Sequence, residues 1–375
     1  MRPWLEEEFG NASSATHAFG WRAEAALEDA RERLAAAIGA CEPSEIVFTS
    51  GTTESDNLAL KGVMRAVPGE RSHLITTAIE HPAVLDTCRA LEREGFALTV
   101  LPVDAEGLVD PERLARAIGD RTRLVSVMAA NSEIGVLQPL EAIASICRER
   151  GVPLHTDAAQ AVGKIPLDVG ALPVDLLSMC AHKLYGPKGV GALYLRRRRP
   201  RLAIEPLLHG GGQERGLRPG TQPVALCVGF ARAVELCLEE QAAEAARLSE
   251  LRDRLWSRLR DGLGELQRNG HPTRRLPGNL NVGFPEVEAD ALIAALPELA
   301  LSSGSACASG RAEPSHVLLA LGRSQAEARS ALRFGLGRSN TREEIERAAD
   351  LLVRAVREER EKRGIPGCYP RATGS

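Results

Sequence analysis

Four short polar clusters, each directly after an apolar run, carry most of the chemistry in this 375-residue sequence. Ser50-Gly51-Thr52-Thr53-Glu54-Ser55 opens a helical pattern, and its small residues let backbone N–H groups approach a phosphate at the positive end of a helix. Thr53 could equally serve only as a helix cap. In Glu80-His81-Pro82, His81 suits a cap or a surface position, and its imidazole can also stack on an aromatic cofactor. Asp157-Ala158-Ala159-Gln160 puts an acid at a strand end, where it must find a partner or stay wet. A helix cap would satisfy Asp157, and so would a pyridinium nitrogen, which a fixed carboxylate keeps protonated so that the ring acts as an electron sink. Cys180-Ala181-His182-Lys183 supplies an amine that burial makes available for a Schiff base with an aldehyde cofactor. A phosphate-type turn, a stacking candidate, an acid and a lysine at successive strand ends together spell pyridoxal phosphate.

Such clusters converge only if the strands before them run side by side in one direction. The apolar periodicity predicts a helix over 21–38 stopped at Gly39, a strand over 45–49, a helix opening at Glu54, and then strand 72–77, helix 82–94, strand 97–102, helix 111–118, strand 122–128, helix 139–150 and strand 152–156. Strands regularly separated by helices predict a mainly parallel sheet covered on both faces, with ligands beyond the carboxyl ends of the strands. Stretches 174–179 and 190–195 read as a hairpin-like pair. A long helical pattern over 224–259 precedes strand 278–284, helix 289–296, strand 299–303, helix 314–321, strand 330–336 and helix 341–360. The expected class is α/β: a large cofactor domain over residues 1–235 and a smaller C-terminal α+β domain over 236–375.

A net charge of −3 argues against nucleic acid as a partner, and no apolar run has the length of a membrane helix. The eight cysteines form no CxxC pair, which fits a reducing compartment, read here as the cytosol, and argues against a structural metal. Among 47 basic residues, only Lys61, Lys164, Lys183, Lys188 and Lys362 are lysines.

The segments Ile46-Val47-Phe48-Thr49-Ser50-Gly51-Thr52-Thr53-Glu54-Ser55-Asp56-Asn57, Glu80-His81-Pro82-Ala83-Val84-Leu85, His155-Thr156-Asp157-Ala158-Ala159-Gln160, His182-Lys183-Leu184-Tyr185-Gly186-Pro187-Lys188-Gly189 and Ser302-Ser303-Gly304-Ser305-Ala306-Cys307 resemble those of cysteine desulfurases of the NifS/IscS type. These belong to the class V branch of the fold-type I pyridoxal-phosphate enzymes, and the resemblance is collinear over residues 9–338. It implies that Lys183 holds the cofactor, Asp157 pairs with the ring nitrogen, Gln160 meets the phenolic oxygen and His81 stacks on the ring. Thr52, Thr53, His182 and Cys180 would bind the phosphate, and Ser132 would stand at both cofactor and substrate. Arg218-Pro219-Gly220-Thr221 would bring Thr221 to a phosphate across a homodimer interface, and Arg333 would take the substrate carboxylate through a bidentate pair. Cys307, in a Gly/Ser/Ala-rich stretch suited to a mobile loop, would attack the sulfur of L-cysteine and carry a persulfide, with His81 or the substrate amine as proton acceptor. L-alanine would leave, and the sulfur would pass to an iron–sulfur scaffold or another acceptor protein. A class V aminotransferase, a selenocysteine lyase and a weakly active cofactor-binding protein that docks sulfur-assembly partners are the alternatives.

Three departures from the family pattern accompany the resemblance. The family's opening Tyr-Leu-Asp-Xaa-Ala-Ala-Thr-Thr-Pro segment has no counterpart here, so part of the substrate pocket is expected to be missing. Ser132 stands where the family has Asn, and Cys180, a weak donor to a phosphate oxygen, stands where it has Ser.

Overall fold

In the computed structural model, which describes residues 1–66, 69, 72–197, 201–303 and 313–364, the alternating pattern folds as alternating strands and helices. The chain divides into two compact units. Met1–Pro102, Val109–Ala130 and Gln138–Gln241 form the first; Val103–Leu108, Asn131–Leu137 and the chain from Ala242 onward form the second.

The first unit contains α1 (Pro3–Glu6), α2 (Ala18–Ala37), β1 (Ile46–Thr49), α3 (Thr52–Arg65), β2 (His73–Thr77), α4 (Pro82–Arg93), β3 (Ala97–Leu101), α5 (Pro111–Ala117), β4 (Thr122–Ser126), α6 (Leu140–Glu149), β5 (Leu154–Asp157), β6 (Leu176–Cys180) and β7 (Gly191–Leu195). Its seven strands lie in the order β1-β7-β6-β5-β4-β2-β3. β3, β2, β4, β5 and β6 run parallel, while β7 is antiparallel to both β6 and β1. The connection from β6 to β7 is too short for a parallel crossover, so the chain must return beside β6. β5 and β6 are buried along their whole length, as strands covered on both faces must be. Leu58, Leu60, Val63 and Met64 of α3 pack with Val84 and Leu91 of α4 against Val47, Leu74, Leu124, Leu176 and Leu193 of the sheet.

The turn before α3 comes unusually near the sheet. A Cβ on Gly191 would lie 2.6 Å from both Gly51 Cα and the Met179 carbonyl oxygen, so any side chain there would push the start of α3 away from β6 and β7.

α7 (Val224–Leu263) starts in the first unit and ends in the second. The division falls in this helix after Gln241, not after 235, and the second unit also takes in 103–108 and 131–137. Backbone pairing explains the second of these segments: Val136 bridges Arg275, Leu276 N–H donates to the Gly135 carbonyl, and the Arg275 guanidinium donates to the Ile134 carbonyl. The second unit continues with β8 (Gln267–Asn269), β9 (Asn279–Gly283), α8 (Ala289–Ala295), α9 (His316–Ala320), α10 (Gln325–Arg329), β10 (Ala331–Gly335) and α11 (Arg342–Lys362). Its antiparallel sheet, in the order β10-β9-β8, packs Leu280, Val282, Phe284 and Leu332 with Leu255 and Leu259 of α7 and Leu352 and Val356 of α11. The expected strand at 299–303 is reduced to one bridge, Ser302 to Arg333. Local turns take up its backbone, with Leu299 N–H donating to Leu296 and Leu301 N–H to Leu299. Among the described residues no helix is long and apolar enough to cross a membrane.

A buried ion pair braces the first unit. Arg31 Nη1 and Nη2 donate to Glu214 at 2.7 and 2.8 Å, Arg31 also donates to the Ile46 carbonyl, and Phe48 N–H donates to Glu214. Glu214 and Arg215 both sit at positive φ, 49° and 57°, a conformation costing about 1–2 kcal/mol per residue that the ion pair helps to impose. Removing one member of a buried pair strands the other charge. Glu214→Leu should therefore cost about 3 kcal/mol or more, read as a lower urea midpoint at unchanged slope. A loss below about 1 kcal/mol would mean that the pair behaves like a surface contact.

Candidate active site

Three of the four polar clusters gather at the carboxyl ends of β1, β5 and β6. Asp157, the last residue of β5, is buried, and its Oδ1 accepts the Ala159 N–H at 2.9 Å. Burial pushes its carboxyl up to about 6, against the opposing pull of that N–H and of the Lys183 ammonium. Lys183 closes a short turn, 181–183, after β6. It is solvent-exposed, so burial is not what would make its amine available.

α3 begins at Thr52 behind Gly51, and no side chain caps it. Thr53 is thus not the cap; it is exposed, and its carbonyl accepts from Asn57 Nδ2 at 2.9 Å. The Thr52 hydroxyl is buried, with a thiol, a weak hydrogen-bonding group, as its polar neighbour. Beside it lies the Cys180 thiol, which burial pushes above its ordinary value and whose Sγ is 3.8 Å from His182 Nε2. Burial, then Lys183 and Lys188, hold the His182 ring below its ordinary value. Gln160 Oε1 accepts from Lys164 Nζ at 2.5 Å, which leaves its amide N–H groups to face a ligand oxygen.

His81 caps α4, its Nδ1 accepting the Ala83 N–H at 3.1 Å. In the neutral ring the proton therefore sits on Nε2, which makes that nitrogen a donor. Its neighbour Glu80 is fully buried, with Oε1 accepting from Thr77 Oγ1 at 2.7 Å and from Met128 N–H at 2.9 Å. Burial nevertheless pushes Glu80 up to about 8, and Asp157 adds to the push. Glu54 ties the start of α3 to the 218–221 segment: Arg218 Nε donates to it at 2.9 Å and Ser50 N–H at 2.8 Å. Burial raises Glu54, but these bonds outweigh it and hold the carboxyl below its ordinary value. Thr221 is exposed.

The second unit holds its own polar cluster. Arg333 on β10 is half-buried; its backbone N–H donates to the Ser302 carbonyl at 2.7 Å and its Nη2 to Ser302 Oγ at 3.3 Å. Buried Glu133 accepts from the Ser315 hydroxyl. Burial leaves Glu133 above its ordinary value despite Ser315, His316 and Arg333, which pull it down. Ser132 belongs to this unit, half-buried, with its carbonyl accepting from Asn279 Nδ2 at 3.1 Å. Cys307 lies outside the described residues.

Asp56, Glu80 and His155 had no role assigned from sequence. Strand alternation was the available signal for His155, since it lies two residues before Asp157 and so shares its face of the sheet.

An uncapped helix start and a buried hydroxyl with only a thiol beside it suit a phosphate, and a buried acid opposite a lysine suits a protonated ring nitrogen beside an aldehyde. Only one common cofactor asks for both, and the class this α/β fold and its polar edge define is that of the pyridoxal-phosphate enzymes. Residues 1–348 match the model of the family "Aminotransferase class-V". The mitochondrial cysteine desulfurase of Drosophila melanogaster is 52% identical over 361 residues, 96% of this chain and 78% of that protein. A solved NifS-like protein superposes with a TM-score of 0.88 at 38% identity, covering 95% of this chain and 94% of its own. A solved complex titled as SspA with cysteine has a TM-score of 0.78 at 40% identity, covering 89% and 93%. The chain belongs to the class-V aminotransferase family and is dependent on pyridoxal phosphate.

The buried acids make stability pH-dependent before any cofactor binds. Glu80 titrates at about 8 when folded, against an ordinary 4.5, so over that interval the unfolded chain binds fewer protons and stability falls as pH rises. Buried His155, at about 3 against an ordinary 6.5, acts in the opposite sense, but only below 6.5. Between pH 6.5 and 8 the Glu80 effect is therefore unopposed by His155. Urea unfolding of the cofactor-free chain should show stability falling across this window, and Glu80→Gln should lessen the slope by about 1.4 kcal/mol per pH unit. An unaltered slope would mean that Glu80 is already charged at pH 6.5.

Proposed function

We propose that this chain is a pyridoxal-phosphate-dependent cysteine desulfurase, taking L-cysteine to L-alanine and leaving the sulfur as a persulfide on Cys307. One observation carries this function: half-identity to cysteine desulfurases over 96% of the chain. Bound pyridoxal phosphate supplies an electron sink for negative charge developing at the substrate Cα.

Each residue's part follows from its chemistry. Lys183 Nζ holds the cofactor, then takes the Cα proton of the substrate. Asp157 holds the ring nitrogen protonated, and Gln160, its Oε1 already engaged by Lys164, donates from its amide nitrogen to the phenolic oxygen. Thr52, Thr53 and His182 bind the phosphate with the N–H groups at the start of α3. His81 would stack on the ring with its proton at Nε2, since Nδ1 accepts from Ala83, so the thiol of Cys307 would give its proton to the substrate amine instead of to His81. Arg333 receives the substrate carboxylate. The Cys307 thiolate bonds to the substrate sulfur, and the carbon–sulfur bond breaks with its electron pair left on carbon, which then takes up a proton. The balance closes without an oxidant: cysteine and a thiol give alanine and a persulfide.

The 218–221 segment and the family pattern support a homodimer with Thr221 at a shared phosphate, and the product persulfide needs a sulfur acceptor such as an iron–sulfur scaffold. We place the chain in a reducing compartment, since Cys41, Cys88, Cys147, Cys180, Cys227 and Cys237 are free thiols. The Drosophila relative is named as mitochondrial, which weighs against a cytosolic assignment drawn from composition alone.

Borohydride reduction of the loaded protein should fix the cofactor to a single peptide containing Lys183, and labelling at Lys188 would overturn the assignment. Cys307→Ala should stay yellow and retain cofactor while losing sulfide release from L-cysteine; undiminished release would exclude Cys307 as the nucleophile. Cys180→Ser should tighten pyridoxal phosphate about tenfold by replacing a weak thiol donor with a hydroxyl bonded to a charged oxygen. Equilibrium titration of the cofactor-free protein measures this, and an unchanged Kd would mean that residue 180 does not face the phosphate.

A further inference from the structure

Asp56, on the second turn of α3, is a buried acid with little to compensate its charge. It is fully buried, and neither carboxyl oxygen meets a partner in ordinary hydrogen-bond geometry among the described residues, although the Ser178 hydroxyl lies close enough to favour its charged form. Alternation along β5 sends His155 and Asp157 to one face of the sheet, and Ser178 of β6 lies in register with Asp157. α3 covers this face, bringing Asp56 Oδ1 to 3.5 Å from His155 Nε2. The His155 ring is itself fixed, with Ser126 Oγ 2.9 Å from Nδ1 and Ser178 Oγ 2.9 Å from Nε2.

The groups that face Asp56 are His155 and Asp157 from β5, Ser178 from β6, Glu80 from the end of β2 and Cys88 from α4. None of them brings a positive charge, because burial keeps the His155 ring neutral down to about pH 3. Asp157 differs in one respect: beside a donor, the Ala159 N–H, it has the Lys183 ammonium to sustain its charge, where Asp56 has the Ser178 hydroxyl and no cation among the groups that face it. Two adjacent carboxylates in a dry interior do not both ionise, and the member with a cation beside it keeps the charge. Burial and then Asp157 push Asp56 well above the carboxylate range, in agreement with that geometry.

We propose that Asp56 is a positioning residue that acts through Asp157: seated against the Ser126–His155–Ser178 chain, it carries the proton of the pair and leaves Asp157 as the carboxylate that meets the cofactor's ring nitrogen. This rests on the cofactor placement proposed above. A neutral, polar Asp56 lowers the cost of charging Asp157, whereas a hydrocarbon there would raise it.

The test is the pH dependence of pyridoxal phosphate affinity, measured by equilibrium titration of the cofactor-free protein; titrations of the free cofactor are common to all variants. In Asp56→Leu the low-pH limb, where Asp157 protonates, should move up by about one pH unit. Asp56→Asn, which keeps a neutral donor of the same shape, should bring the limb back. A limb that moves down in both variants would mean that Asp56 is charged and repels Asp157, and a limb that stays in place in Asp56→Leu would mean that Asp56 only fills space. Either result overturns the proposal. Should Asp56→Leu fail to fold, infrared spectra decide the point without cofactor: the carbonyl stretch of neutral carboxylic acid at pH 7 should lose intensity in Asp56→Asn, with Glu80→Gln marking the share of Glu80. An undiminished band would show that Asp56 holds no proton. A wild-type protein that binds no pyridoxal phosphate would overturn the placement instead, leaving the infrared comparison to settle the proton on Asp56.

Discussion

A carboxylate removed from water costs several kcal/mol unless donors or a cation offset the loss, and the first unit removes three of them within one cluster. Each is compensated differently. Glu80 accepts from Thr77 and Met128, Asp157 accepts from Ala159 and has the Lys183 ammonium near it, and Asp56 is favoured in its charged form by the Ser178 hydroxyl alone among the causes that act on it. That ranking makes Asp157 the first of the three to ionise as pH rises, and it is the one at a strand's carboxyl end. Much of the architecture serves this ordering. Parallel strands bring the ends of β5 and β6 together, and α3 must lie low enough for Asp56 to reach the face of His155. The missing side chain of Gly191 permits that approach.

The same closeness explains how Cys180 is tolerated where the family has Ser. Cys180 is fully buried between the start of α3 and the turn to Lys183, a place where a thiol packs as a small hydrophobe. The exchange gives up a strong donor and leaves the buried Thr52 hydroxyl beside a thiol that bonds to it weakly. Glu54 sets the far wall. By engaging Ser50 N–H and Arg218 together, it holds the turn before α3 and the 218–221 segment as one piece.

The sheet was legible in the sequence because strands covered on both faces are apolar throughout and the helices between them keep a 3.6-residue period. β8 and α10 were not, since three-residue and five-residue elements are too short to display a period. The segment at 299–303 has a strand's apolarity, but its backbone hydrogen bonds are satisfied locally. The chemistry at strand ends could be named from residue type, and the first unit does gather Thr52, Asp157, Cys180, His182 and Lys183 at one edge. Exposure could not be read in this way: Lys183 follows a buried strand yet points to solvent. Asp56 escaped notice for the converse reason. An acid in the first turns of a helix is usually a solvated partner of the helix dipole, and only the tertiary packing of α3 on β5 and β6 turns it into a buried group.

In the second unit, the balance around Arg333 bears on how a substrate carboxylate could be accepted there. A half-buried guanidinium with no counter-ion would be costly, and Arg333 lies close enough to Glu133 to favour that acid's charged form. Glu133 is a reluctant carboxylate, however: it is buried, with Ser315 as its hydroxyl partner, and its affinity for a proton is raised even with His316 and Arg333 nearby. An anion arriving at Arg333 therefore displaces a weak electrostatic partner, not a strong bidentate one. Meanwhile the hydrogen bond from Arg333 Nη2 to Ser302 Oγ holds the guanidinium toward Ser302 without neutralising it. A fully exposed arginine would have to be immobilised by the ligand, and one locked to a low-pKa carboxylate would have to be freed from it. Arg333 has neither cost, because its backbone is bridged to Ser302 and its nearby acid is already inclined to take up a proton.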